Sequence, residues 1–283
     1  MEGDWRNRPS APPWIESPST VPHALRVASP SLQVAPRGLL ASFVRGLRAV
    51  PRGEQAPGYV RLPDGESELI VRLGDTRGDA YVIGTRLKPL QKGGAEVPPL
   101  AIAVRFKVAG AYPFFGVPMG ELTNRVIPLD TLWGPAGGWL RERLHERPGL
   151  EAKLGVLQET LEARLRGGDV FEPPSAHVVR RAVRVLSQAR ELPRVDALAK
   201  ALGVSERQLR RAFEDVVGLG PKAYARVVRL QRALRASRRM TSPDWGAIAA
   251  ATGYYDQAHL ISDFRGLTGH TPKALLRRSP PWP

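Results

Sequence analysis

A-K-A-L-G-V-S-E-R-Q-L-R-R-A-F-E-D-V-V-G-L-G-P-K-A runs from Ala199 to Ala223, and A-A-A-T-G-Y-Y-D-Q-A-H-L-I-S-D-F-R-G-L-T-G-H-T-P-K-A runs from Ala249 to Ala274. The second stretch restates the first. Ala199 and Gly203 recur as Ala249 and Gly253, and Leu209, Phe213, Gly218, Pro221 and Lys222 recur as Leu260, Phe264, Gly269, Pro272 and Lys273. One residue is added in the turn after the first glycine of the second copy. Self-similarity at a fixed separation means two copies of one supersecondary unit.

Each copy reads as helix, tight turn, helix. In the first, Val195, Leu198, Ala199 and Leu202 fall at helical spacing, and Gly203 stands where the chain needs a left-handed C′ residue. Ser205 predicts an N-cap and Gln208 completes a capping box. Leu209, Ala212, Phe213 and Val216 form the apolar stripe of the second helix, which leaves Arg207, Arg210, Arg211 and Glu214 outward. In the second copy Ser242 is the expected cap and Pro243 the first helical residue, with Gly253 ending that helix. Asp256 caps the next helix, which buries Leu260, Ile261 and Phe264 and presents Gln257, Ala258, His259 and Ser262. Small Ala199 and Ala249 permit the close crossing of a helix-turn-helix.

The words A-x-x-x-G-V-S-x-R-x-L-x-R-x-F and G-Y-Y-D-Q-A-H-L-I-S-D-F-R-x-L-T-G-H-T-P, within about Ser175–Arg278, resemble the DNA-binding domain of the AraC/XylS family of bacterial transcription regulators. The resemblance implies two helix-turn-helix units held on one side of DNA by a connecting helix, here Lys222–Arg239. Family members commonly carry arginine where this chain has Ser262, and an aromatic residue where it has Leu275. Weaker base reading by the second unit is therefore expected.

The second helix of such a unit lies in the major groove with its first outward residues at base edges. Expected DNA contacts are Ser205, Glu206, Arg207, Gln208, Arg210 and Arg211 in the first unit, and Gln257, Ala258, His259 and Ser262 in the second. Arginine matches the N7/O6 edge of guanine bidentately, and glutamine can read adenine. On the connecting helix Tyr224, Val227, Val228, Leu230 and Leu234 point inward. Arg226, Arg229, Arg232, Arg235, Arg238 and Arg239 are read as outward, some against phosphate and others merely solvated; Arg235 is the one taken as a phosphate contact.

Charge supports this placement. The chain of 283 residues carries 42 Lys+Arg against 27 Asp+Glu, a formal net charge of +15. From Ala176 onward the count is 20 against 8, or +12, and the preceding residues carry 22 against 19, or +3. Basic charge concentrated on a helix-turn-helix pair is the footprint of phosphate binding.

The remainder divides into a Pro/Ser/Arg-rich tail (1–29) read as disordered, a β-rich domain (30–135), a helical connector and linker (136–175) and the repeat domain (176–283). Candidate strands are Gly58–Leu62, Glu68–Leu73, Ala80–Thr85 and Leu100–Phe106, with turns at Pro63–Gly65 and Lys92–Gly94. Short strands at this spacing suggest a small sandwich or barrel. The wording from R-L-P-D-G-E-S-E-L-I-V-R-L-G to N-R-V-I-P-L-D-T-L-W-G resembles a cupin-like N-terminal domain of one AraC-type subgroup. That resemblance implies a barrel whose mouth takes a small-molecule effector, with Arg105, Tyr112, Phe114 and Glu121 as candidates. Phe106, Tyr112, Phe114 and Phe115 read first as plain core, and Arg105 and Glu121 equally as partners of each other or of solvent. Trp139–Glu146 reads as a short helix. Leu150, Leu154, Leu157, Leu161 and Leu165 form the stripe of a longer one, to pack on the β-domain or against its twin in a homodimer.

The fold class is thus α+β multidomain: a cupin-like β-rich domain, a helical connector and an all-α domain with two helix-turn-helix motifs. Its expected partners are double-stranded promoter DNA, a small-molecule effector, RNA polymerase if it activates, and a second copy; no membrane is expected. An enzyme is not expected. There is no cysteine, no phosphate loop, no nucleophile elbow and no dinucleotide fingerprint. The five histidines are scattered without ligand spacing, so no catalytic residue, metal or cofactor is assigned. No apolar run spans a membrane and no secretory h-region follows the start, which predicts a cytoplasmic bacterial regulator. The rival reading is an architectural DNA-binding protein without effector sensing, for which the β-rich domain would be superfluous.

Overall fold

The computed structural model describes residues 32–51, 59–74, 78–92, 99–167 and 172–278. The 1–29 tail, the Lys92–Gly94 turn beyond Lys92 and residues 168–171 of the Gly167–Ser175 linker lie outside them. The N-terminal part contains β1 (Leu32–Val34), α1 (Leu40–Phe43), β2 (Val44–Pro51), β3 (Tyr59–Arg61), β4 (Glu68–Leu73), β5 (Gly78–Ile83), β6 (Leu90–Lys92) and β7 (Leu100–Phe106). It continues through α2 (Tyr112–Phe115), a 3₁₀ turn (Met119–Leu122), β8 (Val126–Pro128) and α3 (Leu129–Trp133) to the connector helices α4 (Pro135–Glu146) and α5 (Leu150–Arg166).

Six strands form one antiparallel sheet in the order β1-β2-β7-β4-β5-β8, and β3 pairs with β6 in a separate ribbon. Among the described residues the large sheet ends at β1 and β8 and does not close on itself. Strand alternation sorts its two faces. Val104 and Phe106 join Leu47, Leu69, Val71 and Val82 in a core covered by α4 and α5. Ile70, Tyr81 and Ile83 point the other way, and Leu90 and Val126 complete a small cluster there. The leucine stripe of α5 is settled by this packing. Leu154, Leu157 and Leu161 lie buried against the sheet, so they are intramolecular core rather than a seam for a twin helix.

The C-terminal part is all helical: α6 (Ala176–Gln188), α7 (Val195–Leu202), α8 (Glu206–Val216), α9 (Pro221–Ser237), α10 (Trp245–Thr252), α11 (Gln257–Thr268) and α12 (Pro272–Arg278). It has two cores sharing one spine. Tyr224, Val227 and Val228 of α9 join Leu198, Leu209, Phe213 and Val216 in the first. Leu230, Ala233 and Leu234, one turn further along, join Ile248, Leu260, Phe264 and Leu275 in the second. Leu275 therefore fills its apolar slot without an aromatic ring.

Local chemistry explains the turns. Gly203 and Gly253 sit at φ +73° and +85°, the left-handed conformation that a side chain would strain. Three sequence expectations shift. The N-cap of α10 is Asp244, not Ser242, because the Asp244 carboxylate accepts from both Gly246 N and Ala247 N, which leaves Pro243 outside the helix. Helix α4 starts at Pro135 rather than Trp139, since proline at N1 loses no hydrogen bond. Strand β5 is displaced toward Gly78, as pairing with β4 runs from Glu68–Ile83 to Leu73–Gly78.

Candidate nucleic-acid interface

In the first unit the local sequence builds a fixed platform. Ser205 Oγ accepts from Gln208 N, and Gln208 Oε1 accepts from Ser205 N and Ser205 Oγ, both at 2.9 Å. This capping box occupies the carbonyl end of Gln208. Glu206, Arg207, Arg210 and Arg211 are all exposed on the same short helix, whose opposite side buries Leu209, Ala212, Phe213 and Val216. None of the three arginines makes an ion pair among the described residues. Their guanidinium donors remain available for an acceptor that matches their fork geometry.

The second unit is built differently. Asp256 Oδ1 accepts from His259 N at 2.7 Å and caps α11, and Gln257, Ala258 and Ser262 are exposed. His259 is only half-exposed. Its ring stands edge-on to Tyr254 at 5.3 Å between centroids, and its Nε2 lies 4.0 Å from Asp263 Oδ2. His259 is thus engaged within the unit. The fully exposed part of the face it was expected to share carries one amide, one methyl and one hydroxyl, with His259 half-exposed beside them.

Sequence reasoning missed the group that holds this unit in place. Asp263, on the inward side of α11, is buried and receives Arg226 Nε at 2.9 Å and Arg229 Nη2 at 3.7 Å from α9. The Arg229 guanidinium also lies 5.4 Å over the Tyr254 ring. Burial, reinforced by the Asp263 charge, pushes the Tyr254 phenol well above its ordinary pKa. The available signal was the i, i+3 spacing of Arg226 and Arg229 opposite a lone acid in an otherwise apolar stripe. Arg232 is likewise structural: it donates to Leu186 O at 2.9 Å and Ala189 O at 2.6 Å, closing the end of α6. Of the arginines read as outward, Arg235, Arg238 and Arg239 are exposed.

The four candidate effector residues do not converge. Phe114 is fully buried among Phe43, Phe106 and Phe115 on the helix-covered face. Arg105 projects from the other face, where it donates to both Asp64 and Glu66. Burial opposes the Arg105 charge, but Asp64, Glu66 and Glu68 outweigh it and raise its pKa. Tyr112 is half-buried, its pKa raised by burial and then by Asp215 and Glu172. Glu121 lies on the 3₁₀ turn that meets α8. Arg105 and Glu121 therefore do not serve as each other's main partner.

Loops and turns of the N-terminal part touch the helical part at defined points. Thr85 Oγ1 donates to Val217 O at 2.6 Å, just beyond α8, and Thr123 Oγ1 donates to Gly218 O. Gln231 Nε2 on α9 donates to Pro63 O at 2.6 Å. Ala109 packs in the first reader core and Leu62 in the second. No group of potential metal ligands occurs among the described residues, and no described helix is long and apolar enough to cross a membrane.

Two capped helix-turn-helix units on a common spine, with their second helices exposed, define a helix-turn-helix domain of the DNA-binding class. The family comparison agrees: a helix-turn-helix domain model matches residues 198–278, and a domain of unknown function (DUF6597) matches residues 32–128. This C-terminal domain belongs to the AraC-type helix-turn-helix family. The chain is 36% identical over 103 residues to the probable bifunctional transcriptional activator/DNA repair enzyme AlkA of Mycobacterium tuberculosis, covering 36% of this chain and 21% of that one. That match lies in the helix-turn-helix region. It is 38% identical over 85 residues to the HTH-type transcriptional regulator GlxA of Rhizobium meliloti, covering 29% of this chain and 25% of that one. The chain thus spans a quarter or less of the length of these curated relatives. Among solved structures, a probable AraC family transcriptional regulator from Rhodopseudomonas palustris CGA009 matches 37% of this chain and 99% of its own, at 29% identity and a TM-score of 0.33. ToxT from Vibrio cholerae matches 82% of this chain and 98% of its own, at 8% identity and a TM-score of 0.43.

Proposed function

We propose that this protein is a sequence-specific DNA-binding transcription regulator whose N-terminal sheet domain senses an effector. The observation that carries the reading is the pair of exposed second helices on one spine, within a segment of net charge +12 (20 Lys+Arg against 8 Asp+Glu). In this reading α8 is the main reader, with Arg207, Arg210 and Arg211 toward base edges and Glu206 and Gln208 beside the backbone. Helix α11 adds Gln257, Ala258 and Ser262, and Arg235 meets phosphate.

The sensing half of the proposal rests on where the sheet meets the reader. Thr85 and Thr123 hold the segment leaving α8, and Pro63 is held by α9. A change on the sheet therefore has a direct route to the relative placement of the two readers, provided that the domain has two arrangements with different DNA affinity.

The test is selection of genomic fragments with the purified full chain, followed by titration of the recovered site at two salt concentrations. One motif with two blocks about a helical turn apart is the expected result. Weak binding that is blind to sequence and vanishes at moderate salt would overturn the specific-regulator reading.

A further inference from the structure

The turns of the two reading units differ by one residue, and the structure identifies which one is extra. Val204 N and Tyr254 N each donate to the carbonyl five residues back, Ala199 O and Ala249 O, at 3.1 Å in both units. Both side chains pack inward on their unit's core. Ser205 and Asp256 then cap through the same bond, accepting from the backbone N–H of Gln208 and His259. Tyr254 thus corresponds to Val204 and Asp256 to Ser205. Tyr255 is the insertion.

Tyr255 is 93% exposed, well beyond Trp139 at 63%, the next most exposed large apolar side chain among the described residues. One exposed ring is ordinary in itself; its position is the informative fact. It stands directly before the N-cap of α11, the end of a second helix that enters the groove. The first unit meets DNA there with three arginines, whereas α11 offers no cation on Gln257, Ala258 or Ser262 and carries the Asp256 carboxylate at its cap. Its single arginine, Arg265, lies in the last turn. The neutral donors of α11 itself, Gln257 and Ser262, lie on the helix, and Tyr255 adds one on the turn before its cap. Tyrosine offers an apolar ring to lie along deoxyribose and an O–H to donate to a phosphate.

We propose that Tyr255 contacts the DNA backbone at the second block of the site and fixes the register of α11. This inference rests on the DNA-binding reading above. The test uses the full chain, its Tyr255→Ala and Tyr255→Phe variants and an Arg210→Ala control, titrated against the genomically selected duplex and the same duplex with its second block exchanged. Tyr255→Ala should bind about tenfold more weakly on both duplexes, the size expected for losing a hydrogen bond to a charged group. Tyr255→Phe should lose part of that, and the salt slope should not move, because a neutral donor displaces no counterion. The melting temperature of Tyr255→Ala should equal that of the parent. Unchanged binding by Tyr255→Ala, while Arg210→Ala loses discrimination, would overturn the proposal and leave the DNA reading standing. A loss confined to the intact second block would make Tyr255 a base contact and overturn the backbone assignment. If the parent chain itself binds no duplex, the underlying reading fails and this one with it.

Discussion

Arg226 Nε sits 2.9 Å from Asp263 Oδ1, and this pair ties the spine helix α9 to the second reading helix α11. Asp263 is buried, and Arg229 and His259 converge on its other oxygen. The position of α11 thus depends on a charge on its inward side. Asp263→Asn keeps the shape and removes the charge that compensates Arg229, which is largely buried. It should cost about 1–3 kcal/mol, since breaking one side of a buried pair leaves the other uncompensated and the exposed part of Arg226 contributes little. Urea unfolding of the full chain measures this cost. The variant should also lose more affinity on a two-block site than on a site with only the first block intact; equal loss on both would mean that Asp263 does not position α11.

The repeat was legible because every element of it is local. A glycine at φ > 0, a cap with its partner three residues on and an apolar stripe at helical spacing are read from neighbouring residues; the structure places the glycines and the caps of both second helices as expected, whereas the cap of α10 moves from Ser242 to Asp244 and Ile261 is only partly buried. What escaped was non-local. Arg61, Glu66 and Glu68 are buried on the ribbon side of the sheet, so β3 and β4 defeat the rule that charge marks the wet face. Strand β2 carries arginines and a glycine, and its pairing with β7 is what makes it a strand. The roles of Asp263 and Arg232 depend on helices that meet only after folding.

The contact between the sheet and the reader includes Gly65 at φ +80°, where an added Cβ would lie 2.7 Å from Tyr224 Cε2. Gly65→Ala meets both a strained backbone and a ring it cannot displace freely. The expected cost is about 1–3 kcal/mol. A double-mutant cycle with Tyr224→Leu checks the mechanism, because the ring clash is a shared term: the two losses should fall short of adding by more than about 0.5 kcal/mol. Strict additivity would place the whole effect in the backbone.

Alkaline pH should weaken the folded chain through its buried phenols. Burial raises the pKa of Tyr224 and Tyr254 above the ordinary 10.0. Below that value both are protonated whether folded or not. Above it the unfolded chain releases its protons first, so the folded state holds more protons and stability falls as pH rises. Tyr254 Oη is buried with no hydrogen-bond partner among the described residues, so Tyr254→Phe should be close to neutral at about pH 7 and should flatten the alkaline decline. Unfolding measured between about pH 8 and about pH 11 would show it; an unchanged decline would clear Tyr254 of responsibility.

Arg232 and Arg235 lie on the same helix and should behave oppositely. Arg232 closes the carbonyl end of α6, and Arg232→Ala should cost about 1–2 kcal/mol of stability while leaving the salt slope of DNA binding alone. Arg235 is exposed and free of ion pairs among the described residues. Arg235→Ala should leave stability unchanged, weaken binding to every sequence alike and reduce the salt slope by about one. Salt titration beside urea unfolding separates the two residues, and a common phenotype would contradict the assignment.

Arg210 carries the most specific expectation. It lies on the exposed face of α8, one turn from the Ser205–Gln208 box that fixes the start of that helix. A guanidinium held there can pair with both N7 and O6 of one guanine, an interaction that a phosphate contact cannot mimic in sequence dependence. Arg210→Ala should lose about 1–3 kcal/mol on the selected site and much less on a site with that base pair exchanged. The exchanged site should bind the variant and the parent nearly equally, since the parent has already lost the pairing. Equal losses on both sites would move Arg210 from the bases to the backbone, and sequence reading by the first unit would then fall to Arg207 and Arg211.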